Sequence, residues 1–391
     1  MKKNRRFNYI LFFVFIVIII TFYAVFIIGQ KAASEFENRE LSQLPVFEME
    51  GFLNKTFQDN LENAISDQII IAKEVKKKAL EIRKDIINLM NNIILKIRNN
   101  QNGRYYVSIA ENTYKINNED YLLNKEKTDV YNPKSINYFN KIEGVPKYLY
   151  FIEIDRSKVF NNEQHKDTQY ETISKAIEVA DKANFELPNY ESHKEYFYKT
   201  DHHWNYKGQY KGYKEITKLL GIPESEQIKV TEEKEYDTYF WGSKSRNATE
   251  YDIKEKFRVF KYNNQKPRET YIDGKLCVYG KSEEYDNGQY ENRTTTNHYG
   301  DYYGWDDGEI IYDYKTPEKE NLLIISDSFS NAVNEIIASH FNKTHIIDLR
   351  QNKEFQPNEY IRKNEIDKVL ILGDITLFSN SYFQNYNLDN Y

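Results

Sequence analysis

The chain has 391 residues with 54 Lys or Arg against 60 Asp or Glu, a formal charge of −6. Its first 29 residues hold four bases (Lys2, Lys3, Arg5, Arg6) and no acid, so the remainder carries −10, and an acidic body excludes nucleic acid as a partner because phosphate contacts call for a basic face. The single cysteine, Cys277, excludes an internal disulfide, and its place in the alternating stretch Lys275–Tyr279 predicts a small buried apolar residue rather than a catalytic thiol.

Residues 9–28 run without a charge and are dominated by Ile, Phe and Val. About 20 such residues in a helix span a bilayer core of about 30 Å. A cleaved signal peptide is the alternative, but its apolar region would be about 7 to 15 residues long, and Lys31 falls where a cleavage site wants a small residue. The expectation is an uncleaved anchor with its basic N-terminus in the cytoplasm and the remaining chain outside. That divides the chain into a stub and transmembrane anchor (1–29), a juxtamembrane segment with amphipathic helices (30–103), and a catalytic domain (104–391).

Beyond the anchor, Pro45 argues against one continuous helix through 35–47. Apolar residues from Leu61 to Ile97 then recur at three and four, which predicts an amphipathic helix or helix pair until Asn99–Gly103 breaks it. From Arg104 the pattern becomes one of alternating strands and helices. Expected elements are a strand over 147–154, a helix over 172–183, a helix over 208–220, and later strands over 322–325, 345–349 and 368–372 with helices near 331–340 and 358–364. Between them, residues 228–317 are polar and tyrosine-rich with short alternating pieces, and read as an inserted β-rich lobe or set of hairpins. The 34 tyrosines could stack on sugar rings, but ordinary strand positions account for them better. The fold expected is α/β, a parallel sheet with helices on both faces, carrying a β-rich insertion.

Two segments carry chemistry. Asp201-His202-His203-Trp204 supplies an acid and an imidazole two residues apart, and Ser326-Asp327-Ser328-Phe329 places a serine where a buried strand runs into a helix. In an open parallel sheet, ligands bind beyond the carboxyl ends of the strands, where Ser328 falls. Ser and Asp are also the preferred helix caps, so the second segment taken alone reads as a cap rather than a catalytic serine, and the histidine segment shifts that balance. The adjacent histidines admit three readings: a general base oriented by Asp201, a metal site using Asp201, His202, His203 and His193, or a satisfied histidine pair. No cysteine or glutamate set at zinc spacing accompanies them.

Tyr196–Gly208 with its Asp201-His202-His203-Trp204 core, followed downstream by Ser326-Asp327-Ser328-Phe329-Ser330, resembles the DHHW family, similar to the alginate O-acetyltransferase-like branch of the SGNH hydrolases. The likeness takes in the anchor, Glu37-Asn38-Arg39 with Leu44-Pro45, and Asp348-Leu349-Arg350, and has the branch's permuted order with Asp and His ahead of Ser. It implies Ser328 as nucleophile, His203 as general base and Asp201 as its orienting acid, with no metal and no cofactor. It also implies Arg350 facing the site; Gly373 and Asn380, near the end of the last expected strand, and Trp204 are oxyanion or substrate-binding candidates. Ser326 stands where the related motif has glycine, and a side chain there would narrow the approach to the oxyanion pocket. The implied activity is O-acetyl transfer to a cell-surface or cell-wall polysaccharide acceptor, the acetyl group supplied by a multi-pass membrane acyltransferase. An esterase with the same triad and a catalytically silent polysaccharide-binding scaffold are the alternatives.

Overall fold

The computed structural model describes residues 33–34, 39–40, 42–68, 78, 82, 86, 106–110, 113–116, 119–124, 131–155, 168–246, 248, 253–277, 281–287, 298–380 and 382–383. The expected membrane span over 9–28 and most of the expected helical stripe beyond residue 68 lie outside them. Among the described residues no helix is long and apolar enough to cross a membrane. The chain divides into two compact units, residues 1–94 and 95–391. The first contains the helices Met49–Leu53 and Thr56–Gln68.

The second unit is built on an eight-stranded sheet. Five of its strands are parallel neighbours, in the order Lys343–Ile347, Leu322–Ser326, Lys368–Gly373, Lys147–Ile152 and Asp181–Phe185. They form here because Leu-Leu-Ile-Ile-Ser and Lys-Val-Leu-Ile-Leu-Gly are near-continuous β-branched and aliphatic runs, the composition of strands covered on both faces. All five residues of Leu322–Ser326 are buried.

The sheet differs from expectation in being mixed. Glu309–Asp313 pairs antiparallel with Lys343–Ile347, and Glu269–Ile272 and Lys275–Cys277 extend that edge, also antiparallel. Part of the polar segment over 228–317 therefore continues the main sheet, whereas Val230–Phe240 and Glu255–Tyr262 form a separate two-stranded hairpin. Cys277, on the outermost strand, is half-buried rather than enclosed, because that strand has a neighbour on one side only. The helix expected over 172–183 ends at Ala176, and Asp181–Phe185 is the opposite edge strand. Its polar residues are tolerated because only one neighbour covers it: Asp181 and Lys182 are exposed and Phe185 is buried. The helix expected over 331–340 is broken into a 3₁₀ turn, Ser328–Ala332, and a short helix, Asn334–Ala338.

Candidate active site

Residues 198–203 form a tight loop closed at its base by an antiparallel bridge between Phe197 and Trp204, with Tyr198 N–H donating to the His203 carbonyl at 3.1 Å. Asn205 ends the loop as the N-cap of the helix Tyr206–Leu219, its side-chain oxygen accepting from Lys207 N at 2.9 Å and Gly208 N at 3.2 Å. Trp204 fixes the loop to that helix. Its indole is fully buried and lies against Gly212, where any added Cβ would collide with it, while a Cβ at Gly208 would strike the Tyr196 carbonyl and the Trp204 Cβ, and the indole meets Phe185 and Phe329 edge-on. Sequence reasoning offered Trp204 as a substrate contact, but a wholly enclosed indole cannot touch substrate.

The loop brings three side chains into one row. Asp201 Oδ1 is 2.6 Å from His203 Nδ1 and accepts the His203 backbone N–H at 3.0 Å, and His203 Nε2 is 2.9 Å from Ser328 Oγ. An ionised carboxylate only accepts, so Nδ1 carries the ring proton and Nε2 presents its lone pair to the Ser328 hydroxyl. Burial pushes the Asp201 carboxyl up, but the His202 and His203 charges beside it, with hydrogen bonds from His203 and the Ser243 backbone, outweigh burial and hold it well below the usual carboxylate range. Such a carboxylate contributes stability that is complete above the unfolded pKa of about 3.9 and fades as the pH falls through the depressed folded value. Asp201→Asn is therefore expected to be less stable than wild type near neutrality, with the gap closing below about pH 4. Denaturant midpoints at stepped pH check this, and a gap that does not change with pH would count against it.

Residues from the inserted segment hold this row from outside, and no pattern in the sequence marks them. Ser243 N–H donates to Asp201 Oδ2 at 2.7 Å, and Ser243 Oγ meets His202 Nδ1 at 2.7 Å. Gly242 leaves no room for a side chain, since a Cβ would lie 2.7 Å from Asp201 Cα and from the Thr200 carbonyl oxygen. Gly242→Ala is expected to cost about 1–3 kcal/mol by overpacking and to lower turnover by displacing Asp201, read from denaturation and ester cleavage together. Half-buried Glu255 accepts from Thr200 N at 2.8 Å and Thr200 Oγ1 at 2.7 Å, which anchors the residue before Asp201. Tyr299, on the helix His298–Tyr303, stacks face to face on the His203 ring, 3.9 Å between centroids and 6° between planes. Its hydroxyl donates to the Ser328 carbonyl at 2.9 Å.

Ser328 is half-buried at the start of the 3₁₀ turn, which Asp327 caps by accepting from Phe329 N at 3.0 Å. Ser330 N–H donates to the Asp327 carbonyl at 3.1 Å. The next two N–H groups are thus occupied, while Ser328's own N–H has no partner among the described residues and is the donor left for an oxyanion. With the helix broken after five residues, that single N–H replaces the expected contribution of a longer helix dipole. Ser326 does not narrow the approach: it is buried, and its hydroxyl pairs with Ser330 Oγ at 2.7 Å inside the turn.

The other candidates fall differently. Gly373 sits where a Cβ would lie 2.9 Å from Asp327 Cγ, so its role is to admit the Asp327 carboxylate, which accepts the Asp374 N–H at 3.2 Å. Burial and the neighbouring Asp374 carboxylate push the Asp327 carboxyl well up. Arg350 is tied by Nε to both Asp348 oxygens at 3.0 Å and by Nη2 to Asp306 at 2.9 Å, with its charge acting on Asp327. Asn380 is exposed on the turn after Ile375–Phe378, and no hydrogen bond joins it to the triad among the described residues. Asp201, His202 and His203 bring ligand atoms within 4.8 Å of one another, but those of Asp201 and His203 are engaged in the row itself, so a cation there would compete with it.

The fold is shared with solved structures. A DHHW family protein from Eubacterium siraeum is 18% identical, with 75% of this chain covering 96% of that one at a TM-score of 0.53. Bacillus cereus PatB1 with a sulfonyl adduct is 21% identical over 68% of this chain and 98% of its own, TM-score 0.53, and PatB1 in a second structure is 21% identical over 72% and 99%, TM-score 0.51. At these identities the likeness is one of fold, and at that level the DHHW resemblance read in the motifs holds. No family model and no curated protein matches the sequence.

Proposed function

We propose that this protein is a membrane-anchored, extracytoplasmic O-acetyltransferase acting on a cell-surface or cell-wall polysaccharide through an acetyl-Ser328 intermediate. The unbroken row from Asp201 through His203 to Ser328, at 2.6 and 2.9 Å, carries the reading. His203 Nε2 takes the Ser328 proton as Oγ bonds to the carbonyl carbon of an acetyl ester or thioester. The carbonyl oxygen receives the displaced electron pair and is held by the Ser328 N–H. Collapse expels the donor's alkoxide or thiolate, which leaves with the proton from His203. A sugar hydroxyl then gives its proton to Nε2 as it attacks the acetyl-serine, and Ser328 Oγ leaves and recovers that proton. Asp201 supports the imidazolium in both halves without itself being protonated.

The donor in this reading is a multi-pass membrane acyltransferase, and a shared membrane raises the effective concentration of the two partners. The sulfonyl adduct on the similar PatB1 fold suggests a direct probe, since sulfonyl fluorides react with activated hydroxyl groups. Full-length protein treated with a chromogenic acetyl ester is expected to gain the mass of one acetyl group on the peptide bearing Ser328, and a sulfonyl fluoride is expected to block that gain. A folded protein that gains neither adduct would sink the reading. Release of free acetate unaffected by added saccharide would replace transfer by deacetylation at the same site.

A further inference from the structure

Trp305 is 52% exposed in a region where most large aromatics are enclosed. It follows the helix His298–Tyr303, whose Tyr299 covers the His203 ring. One face of its indole lies on Gly300, where a Cβ would sit 3.2 Å from the ring, so a side chain at 300 would lift it. The loop that carries it is fastened on both sides of the site. Asn331, three residues after Ser328, donates to the Gly304 carbonyl at 3.2 Å, and Asp306 pairs with Arg350 at 2.9 Å. Asp306 and Asp307 then line an open cleft of about 590 Å³ together with Gln351 and Asn352.

An exposed aromatic face packed on Gly300, the residue after the Tyr299 that covers His203, and followed in the chain by Asp306 and Asp307 of a cleft rich in carboxylates and amides, matches one chemistry. The C–H face of a pyranose packs on an aromatic ring, and its rim of hydroxyls needs carboxylate and amide partners. Resting on the acyl-transfer reading above, we infer that Trp305 and the Asp306–Asn352 cleft are the acceptor subsite, where a pyranose ring of the glycan stacks while a neighbouring hydroxyl reaches acetyl-Ser328. Trp305 determines the acceptor and takes no part in acetyl-enzyme formation.

The chain has three tryptophans, so fluorotryptophan labelling of the full-length protein, in a detergent without a sugar headgroup, gives at most three fluorine resonances, and Trp305→Phe assigns one. Titration with glucose, N-acetylglucosamine, galactose and mannose is expected to shift the Trp305 line saturably with at least one sugar and leave Trp204 and Trp241 in place. Gln351→Ala with Asn352→Ala is expected to weaken that shift. Trp305→Ala is expected to form acetyl-Ser328 at the wild-type rate and to lower transfer to glycan about tenfold through KM for the acceptor. Trp305→Phe is expected to recover part of it. No shift with any of the four sugars overturns the subsite, as does a line that moves with protein concentration alone, which would mark a protein interface. A wild type that binds sugar at Trp305 but forms no acetyl-serine would remove the acyl-transfer reading and leave the sugar site standing.

Discussion

Ser328→Ala is expected to lower ester cleavage by a factor on the order of 10⁴ or more while leaving the fold intact. The hydroxyl is half-buried and its hydrogen bond is to His203, so its loss strips no core contact. The Asp327 cap, the Ser326–Ser330 pair and the Tyr299 hydroxyl bond to the Ser328 carbonyl all persist without it. His203→Ala is expected to cost a similar factor, and the double variant no more than either single one, because nucleophile and base act as a unit. Unchanged thermal midpoints with additive losses of activity would argue that the two residues act separately. Retained activity in Ser328→Ala would move the chemistry away from this row altogether.

Trp204→Ala is expected to be the most destabilising single truncation near the site, by about 3–5 kcal/mol. The indole is fully buried between the helix Tyr206–Leu219, whose Gly212 makes room for it, and Phe185 and Phe329. Removing it opens a cavity directly under the residue that follows Ser328, so activity falls through a loosened turn as well as through unfolding. Trp204→Phe is expected to cost much less. The indole N–H is buried without a hydrogen-bond partner among the described residues, so phenylalanine surrenders volume and no bond. Urea denaturation of both variants measures this. A stable Trp204→Ala whose only defect is a raised KM would return the residue to the role of substrate contact.

The row from Asp201 through His203 to Ser328 was legible because its members lie in short contiguous segments. Asp201 and His203 are two residues apart, and their hydrogen bond closes within one loop that the Asn205 cap ends. The aliphatic run Leu322–Ile325 announces a buried strand, and a serine just beyond such a strand lies at the ligand-binding end of a parallel sheet whatever its neighbours are. The helix Tyr206–Leu219 and the strand Lys147–Ile152 were equally readable, since each carries its own period or apolar run.

Other features are contacts between segments that have no pattern of their own. The strand Asp181–Phe185 is polar because it is an edge, and being an edge is a property of the sheet. The direction of the Ser326 hydroxyl was decided by Ser330 one turn later, which reversed the steric objection its presence raises. Tyr299 reaches His203, Ser243 reaches Asp201 and Asp306 reaches Arg350 across 96, 42 and 44 residues, and an isolated tyrosine, serine or aspartate in a polar stretch looks the same whether or not it makes such a contact. The sequence by itself determined which groups could react and in what order they follow along the chain. Only the tertiary structure decided that they meet, what covers the imidazole and which large aromatic stays exposed, because those depend on long-range packing, and neither local propensity nor periodicity encodes it.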